Sequence, residues 1–212
     1  MVKREYLDYN IGHPQFNSVI DALHAASPQA DINTGKIVRT IIQKIDASGI
    51  ISKVSRTRMN LNRPINDQNR LGVLEYRQCL RDIVVSKGIL NQDNIIKKKF
   101  LHISVHGMAK SRPTDFEIGT RNGEACSKDI RDWFCSRLQD ISINFGVDST
   151  FPGDSSKAYH RLGDPDNGYI GYGDNFNTIQ FEINHYFRNE GIMYLVDFLC
   201  NTIIAFELSF NK

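Results

Sequence analysis

The stretch Phe100-Leu101-His102-Ile103-Ser104-Val105-His106-Gly107 is a run of β-branched and aromatic residues closed by a glycine, the pattern of a short strand. A second stretch, Thr178-Ile179-Gln180-Phe181-Glu182-Ile183-Asn184, has the same character. Each sets an isolated ionisable side chain among apolar ones. A buried imidazole or carboxylate is costly unless it is paired, hydrogen-bonded or bound to a metal. With His24 as a third candidate, the two segments point to a hydrolytic metal site built on central strands.

Outward from these strands, helices and strands alternate. Ser18 to Leu23 reads as a strand that delivers His24 at its C-terminal end, and a loop through Asp31 follows. Asn33 or Thr34 then caps a helix to about Ala47, with Ile37, Val38, Ile41, Ile42 and Ile45 on one face. Gly49 stops it and Ile50 to Ser55 is the next strand. Gln68 to Ser86 reads as a second helix, Phe116 to Gly119 as a strand, Ser127 to about Asp140 as a helix and Ile141 to Val147 as a strand. An apolar helix runs from Ile192 to Phe206. Residues 1–17 read as irregular. Residues 148–177 have loop composition, and a loop of that length in a compact domain is usually functional. The alternation predicts a three-layer α/β/α fold with a mixed, largely parallel central sheet. Sites in such sheets form beyond the carboxyl ends of the strands, where His24 and His106 both fall.

The bulk composition is permissive. A chain of 212 residues, 41% hydrophobic, buries a sizeable core as one domain over residues 1–212. Twenty-six basic against 24 acidic residues leave a net charge of +2, so no nucleic-acid footprint is indicated. The basic run Lys97-Lys98-Lys99 reads as solvated. Cys79, Cys126, Cys135 and Cys200 show no Cys-x-x-Cys spacing and read as free thiols of a reducing compartment. The N-terminus carries no apolar signal segment, and no stretch approaches the roughly 20 apolar residues of a membrane span, so a cytoplasmic protein is expected.

A catalytic zinc site takes three protein ligands, commonly two histidines and a carboxylate. His24, Asp31 and His106 supply such a set, and its donor types suit zinc better than magnesium or calcium. A nearby carboxylate that is not a ligand must then move the proton of water, and Glu182 is the candidate. Structural histidines at strand ends are common, and His102, which shares its strand with His106, reads equally well as a packing residue. Arg56, Arg58 and Arg63 place three guanidinium groups within eight residues. Such groups suit two-pronged recognition of a carboxylate, although surface arginines in a solvated loop would read the same way.

Three segments carry a resemblance. Ser55-Arg56-Thr57-Arg58-Met59-Asn60-Leu61-Asn62-Arg63 resembles the SR-x-x-x-DLNR segment of the N-formylglutamate amidohydrolase family. Asp115-Phe116-Glu117-Ile118-Gly119-Thr120-Arg121-Asn122-Gly123 resembles its D-x-x-(I/L)-G-x-x-x-G stretch, and Ile179-Gln180-Phe181-Glu182-Ile183-Asn184 its (I/L)Q-(I/L)-E-(I/L)-N. Their order and spacing cover residues 18–190. The resemblance implies the zinc-carboxypeptidase-like (phosphorylase/hydrolase-like) fold. It also implies a zinc-dependent amidohydrolase acting on a small acidic substrate, an N-acyl amino acid or a glutamyl peptide. Carried over residue by residue, it makes His24, Asp31 and His106 the metal ligands and Glu182 the general base. Asn62 and Arg63 become the grip on a substrate carboxylate, Arg56 a second substrate-facing and catalytic arginine, and Arg121 a further substrate-binding residue. Asn60 stands where the motif has aspartate, and Asp31 comes seven positions after His24, a longer spacing than in the related carboxypeptidases. These departures favour the alternative, a non-catalytic protein that binds an acidic ligand on the same fold.

Overall fold

The computed structural model describes residues 1–211. Eight strands form one sheet in the order β1-β2-β4-β3-β5-β8-β6-β7. They are β1 Val2–Lys3, β2 Leu7–Asn10, β3 Ser18–Ala22, β4 Gly49–Ser52, β5 Phe100–Gly107, β6 Phe116–Gly119, β7 Phe145–Val147 and β8 Phe176–Ile183. The neighbours β4, β3, β5 and β8 are mutually parallel; β2 and β6 flank that block antiparallel to it. Among the described residues six α-helices complete the fold: α1 Thr34–Ile45, α2 Arg70–Ser86, α3 Lys128–Gln139, α4 Ser155–Leu162, α5 His185–Arg188 and α6 Ile192–Phe210.

Side-chain alternation divides the sheet. Leu101, Ile103 and Val105 of β5 and Ile179, Phe181 and Ile183 of β8 join α1, α3 and α6 in one apolar core. On the other face Phe100 and Phe176 pack with Val73, Tyr76, Leu80 and Ile83 of α2. Further along the same strands that face turns polar and carries His102, Ser104, His106, Thr178, Gln180 and Glu182. Helix α1 leads from β3 to β4 on one side, and the chain returns through α2 to place β5 on the other side of β3. The gap between the carboxyl ends of β3 and β5 is therefore a topological switch point, the usual place for a ligand in an open α/β sheet.

Three expectations need correction. Residues 1–17 are not irregular: Leu7–Asn10 pairs with β4, with Leu7 and Tyr9 turned into the core. Residues 148–177 are not all loop, because Ser155–Leu162 is helical, started by Asp154 Oδ1 accepting the Ser156 N–H at 3.0 Å. The expectation that nothing is long and apolar enough to cross a membrane also fails, since the 19-residue α6 is, by length and composition alone. Here Leu195, Val196, Leu199, Ile203 and Phe206 of that helix are core residues. Cys79, Cys126, Cys135 and Cys200 are free thiols.

Candidate metal centre and cleft

His24 follows β3 and His106 ends β5, so neighbouring parallel strands aim both rings at the switch point. Asp31 is brought in by loop closure. Its N–H donates to the His24 carbonyl at 2.8 Å, and its own carbonyl accepts the Thr34 hydroxyl at 2.7 Å at the start of α1. This turn absorbs the six residues between His24 and Asp31. Asn33 does not cap α1 with its side chain; it sits at φ 67° and its amide donates to the Arg188 carbonyl. Ser55, bonding the Pro28 carbonyl at 2.5 Å, ties the arginine-bearing segment to the same loop.

His24, Asp31 and His106 each bring a donor atom to within 4.8 Å of the others, and all three residues are buried. Both histidine Nδ1 atoms lie 3.4 Å from Asp31 Oδ2. The opposite ring nitrogens define what those Nδ1 atoms are. His24 Nε2 is 2.9 Å from Asn60 Oδ1, which also accepts the Asn62 N–H at 3.1 Å and so acts as an acceptor. His24 Nε2 must therefore carry a hydrogen, which in the neutral ring puts the lone pair on Nδ1, a buried atom with no hydrogen-bond partner. A lone pair converging on a carboxylate oxygen in a buried space is matched by a cation, so these residues fit a metal ion.

The surrounding charges reinforce the arrangement. Burial tends to raise the pKa of Asp31, yet its carboxyl is held well below its ordinary range, with Arg56 ion-paired to Oδ1 opposing the cost of burial. Burial pushes His106 down to about 4, so its ring is neutral near pH 7. Glu182 lies opposite His106 in the β5–β8 register and is only 6% exposed. Burial, with the charge of Asp31 second, pushes its carboxyl up to about 7. Gln180 Nε2 donates to Glu182 Oε1 at 3.0 Å and fixes its orientation.

A cleft of about 270 Å³ opens over this group. His24, Asp31, Arg56, Asn62, Arg63, His106 and Glu182 all line it, so seven of the eight residues singled out from sequence meet there. Arg56 Nε and Asn62 Oδ1 are buried without partners, while Arg63 sits at the rim, ion-paired with Asp154. Arg121 is not brought to the cleft. Its guanidinium pairs with Glu124 at 2.9 Å on the surface, and its N–H instead holds the Pro152 carbonyl of the cleft wall. That wall, Thr150 to Asp154, passes so close to β6 that a Cβ on Gly119 would lie 2.5 Å from the Phe151 carbonyl oxygen.

Sequence reading missed the supports. His102 is a buried structural residue, bonded to Asp21 Oδ2 at 2.8 Å and to Thr178 at 3.1 Å. Lys157, fully buried on α4, reaches Ser104 at 2.7 Å. Arg188 binds the carbonyls of Ile32, Met108 and Ile183, pinning the loops on both sides of the cleft floor. Its approach requires Gly107 at the end of β5, where a Cβ would fall 2.6 Å from the guanidinium carbon. Gln180 was visible only as part of a motif, and nothing local marks Lys157.

No protein-family model matches the chain, and no curated protein does. Solved structures do. An N-formylglutamate amidohydrolase from Ralstonia eutropha JMP134 superposes with a TM-score of 0.68 at 15% identity, covering 95% of this chain and 97% of that one. A gene product of Agrobacterium tumefaciens superposes with a TM-score of 0.67 at 14% identity, covering 97% of this chain and 96% of that one. At these coverages the likeness takes in the whole α/β/α architecture, and the chain has the fold of the N-formylglutamate amidohydrolase structure.

Proposed function

We propose that this protein is a zinc-dependent amidohydrolase that cleaves an amide bond next to a carboxylate, in an N-acyl amino acid of the N-formylglutamate kind or in a glutamyl peptide. The observation that carries the reading is the buried His24–Asp31–His106 donor set beside Glu182 in one polar cleft. Two imidazoles and a carboxylate are a ligand set of catalytic zinc sites and suit that ion better than magnesium or calcium. Zinc, when bound, supplies Lewis acidity, which polarises a carbonyl and eases deprotonation of water near pH 7. One of the two fold-mates is an N-formylglutamate amidohydrolase, which supports the substrate class.

The chain's own residues divide the remaining work. Glu182 Oε1 is engaged by Gln180, so Oε2 is the atom that takes a proton from water and passes it to the leaving amine. A carboxyl whose pKa is near 7 exchanges protons readily at neutral pH. Arg63 at the rim and Asn62 below it hold the substrate carboxylate. Arg56 keeps Asp31 anionic and offers its unpartnered Nε to the substrate.

Elemental analysis of the purified protein, followed by an amine-release screen over N-acyl amino acids and glutamyl peptides, tests the reading. About one equivalent of zinc and amine release are expected, and His106→Ala should hold well below about half an equivalent because two ligands rarely keep a structured site. Stoichiometric zinc in that variant would remove the metal site as drawn. Zinc-independent binding of acidic ligands without turnover would favour the non-catalytic alternative.

A further inference from the structure

The polar face of β3 and β5 continues below the cleft as a closed hydrogen-bond chain that ends on His106. Asp21 on β3, entirely buried, accepts from Tyr76 Oη at 2.7 Å and bonds His102 Nε2 at 2.8 Å through Oδ2. Its Oδ1 accepts the Ser104 hydroxyl at 2.7 Å. Lys157 Nζ, arriving from α4, donates to the same Ser104 oxygen at 2.7 Å. His106 Nε2 lies 3.2 Å from that oxygen.

A serine hydroxyl has one hydrogen. Asp21 takes it, so Ser104 can meet His106 only as an acceptor. His106 must then carry its hydrogen on Nε2, and the lone pair is left on Nδ1, the atom 3.4 Å from Asp31 Oδ2. We propose that Ser104, locked by Asp21 and Lys157, is a positioning residue that sets the tautomer and ring orientation of His106 so that Nδ1 faces the metal position. Metal-ligating histidines commonly donate their second ring nitrogen to a carboxylate or carbonyl; here a serine stands between imidazole and carboxylate, and a buried lysine holds the serine. Asn60 does the corresponding work for His24 from a loop. The inference rests on the metal reading above only for why Nδ1 matters.

The test is two-bond ¹⁵N–¹H correlation NMR on the metal-free full chain labelled in its histidine rings, with His106 assigned from a His106→Gln spectrum. Wild type should show His106 as the Nε2–H tautomer. Ser104→Ala should give a mixture of tautomers while circular dichroism and the other histidine signals stay in place. Zinc affinity of that variant, measured by competition with a chelating dye, should fall about 10–100-fold. An Nδ1–H tautomer in wild type overturns the proposal outright, and needs no variant to fold. An unchanged tautomer or unchanged zinc affinity in folded Ser104→Ala overturns it as well. If wild type binds no zinc, the amidohydrolase reading fails separately, and the metal-free tautomer still decides the role of Ser104.

Discussion

Alternate residues of β5 and β8 live in two environments. Leu101, Ile103, Val105, Ile179, Phe181 and Ile183 sit in the apolar core, whereas His102, Ser104, His106, Thr178, Gln180 and Glu182, one position along, are also buried and all polar. The first set is what a parallel sheet covered by helices needs. The second is expensive to bury unless every group finds a partner, and the partners come from far away in sequence: Asp21, Tyr76, Lys157, Asn62. One face of each strand thus serves stability and the other serves chemistry. Substitutions one residue apart should have opposite signatures.

The largest expected effect is on the polar face. Glu182→Gln keeps shape and the contact with Gln180 but removes the basicity. Turnover in an amine-release assay should fall roughly 10²–10⁴-fold while bound zinc is unchanged. Loss of zinc would make Glu182 a ligand, and normal turnover would remove it from the chemistry. Its neighbour gives the contrast. Phe181 is fully buried and packs against Phe116 at 4.8 Å and Phe134 at 5.5 Å between ring centres. Phe181→Ala should cost about 3–5 kcal/mol in denaturant unfolding. The fraction that remains folded should still bind zinc stoichiometrically.

The division was partly legible in the sequence. The alternation that reveals β5 and β8 also flags the odd polar residue inside each, which is why His106 and Glu182 stand out without any structure. His24 and Asp31 were reachable only because a strand-end histidine and a nearby acid were read together; the backbone bond that closes their loop is invisible in a one-dimensional pattern. Helix α4 escaped because its inward residues include Lys157 and His160, which a hydropathy pattern counts as surface. Lys157 is held by Ser104, 53 residues away in sequence. Short edge strands such as Val2–Lys3 carry too few residues to show a period. Arg121 shows the opposite error. A motif placed it in the site, but a backbone at φ 53° turns its side chain toward Glu124.

A third prediction separates the two faces by pH. Glu182 titrates near 7 in the folded metal-free chain and near its ordinary value of 4.5 when unfolded. A carboxyl whose folded pKa is raised leaves the native state holding the extra proton between those values, so its contribution to stability falls as pH rises from about 4.5 to 7. The stability of the wild type relative to Glu182→Gln, both stripped of metal, should therefore drop by on the order of 3 kcal/mol between pH 4.5 and 8. No such pH-dependent difference should appear for Ile183→Val, which sits on the hydrocarbon side. A flat difference for Glu182→Gln would mean that the carboxyl is already compensated in the free protein.

The smallest effect is expected at the rim, where the polar face meets water. The Arg63 side chain is 58% exposed, and its ion pair with Asp154 is correspondingly screened. Removing its geometry should therefore leave stability untouched and act only on substrate. Arg63→Lys retains the charge but not the planar fork that meets both oxygens of a carboxylate, so KM should rise about tenfold with kcat little changed. The same variant should lose much less on substrates whose carboxylate is converted to an amide, because those never used the fork. Equal loss on both substrates would mean that Arg63 serves to hold Asp154 and the wall of the cleft. A Asp154→Asn variant would then reproduce the defect, whereas a true carboxylate grip, freed of its competitor, should bind the acid substrate at least as tightly as wild type.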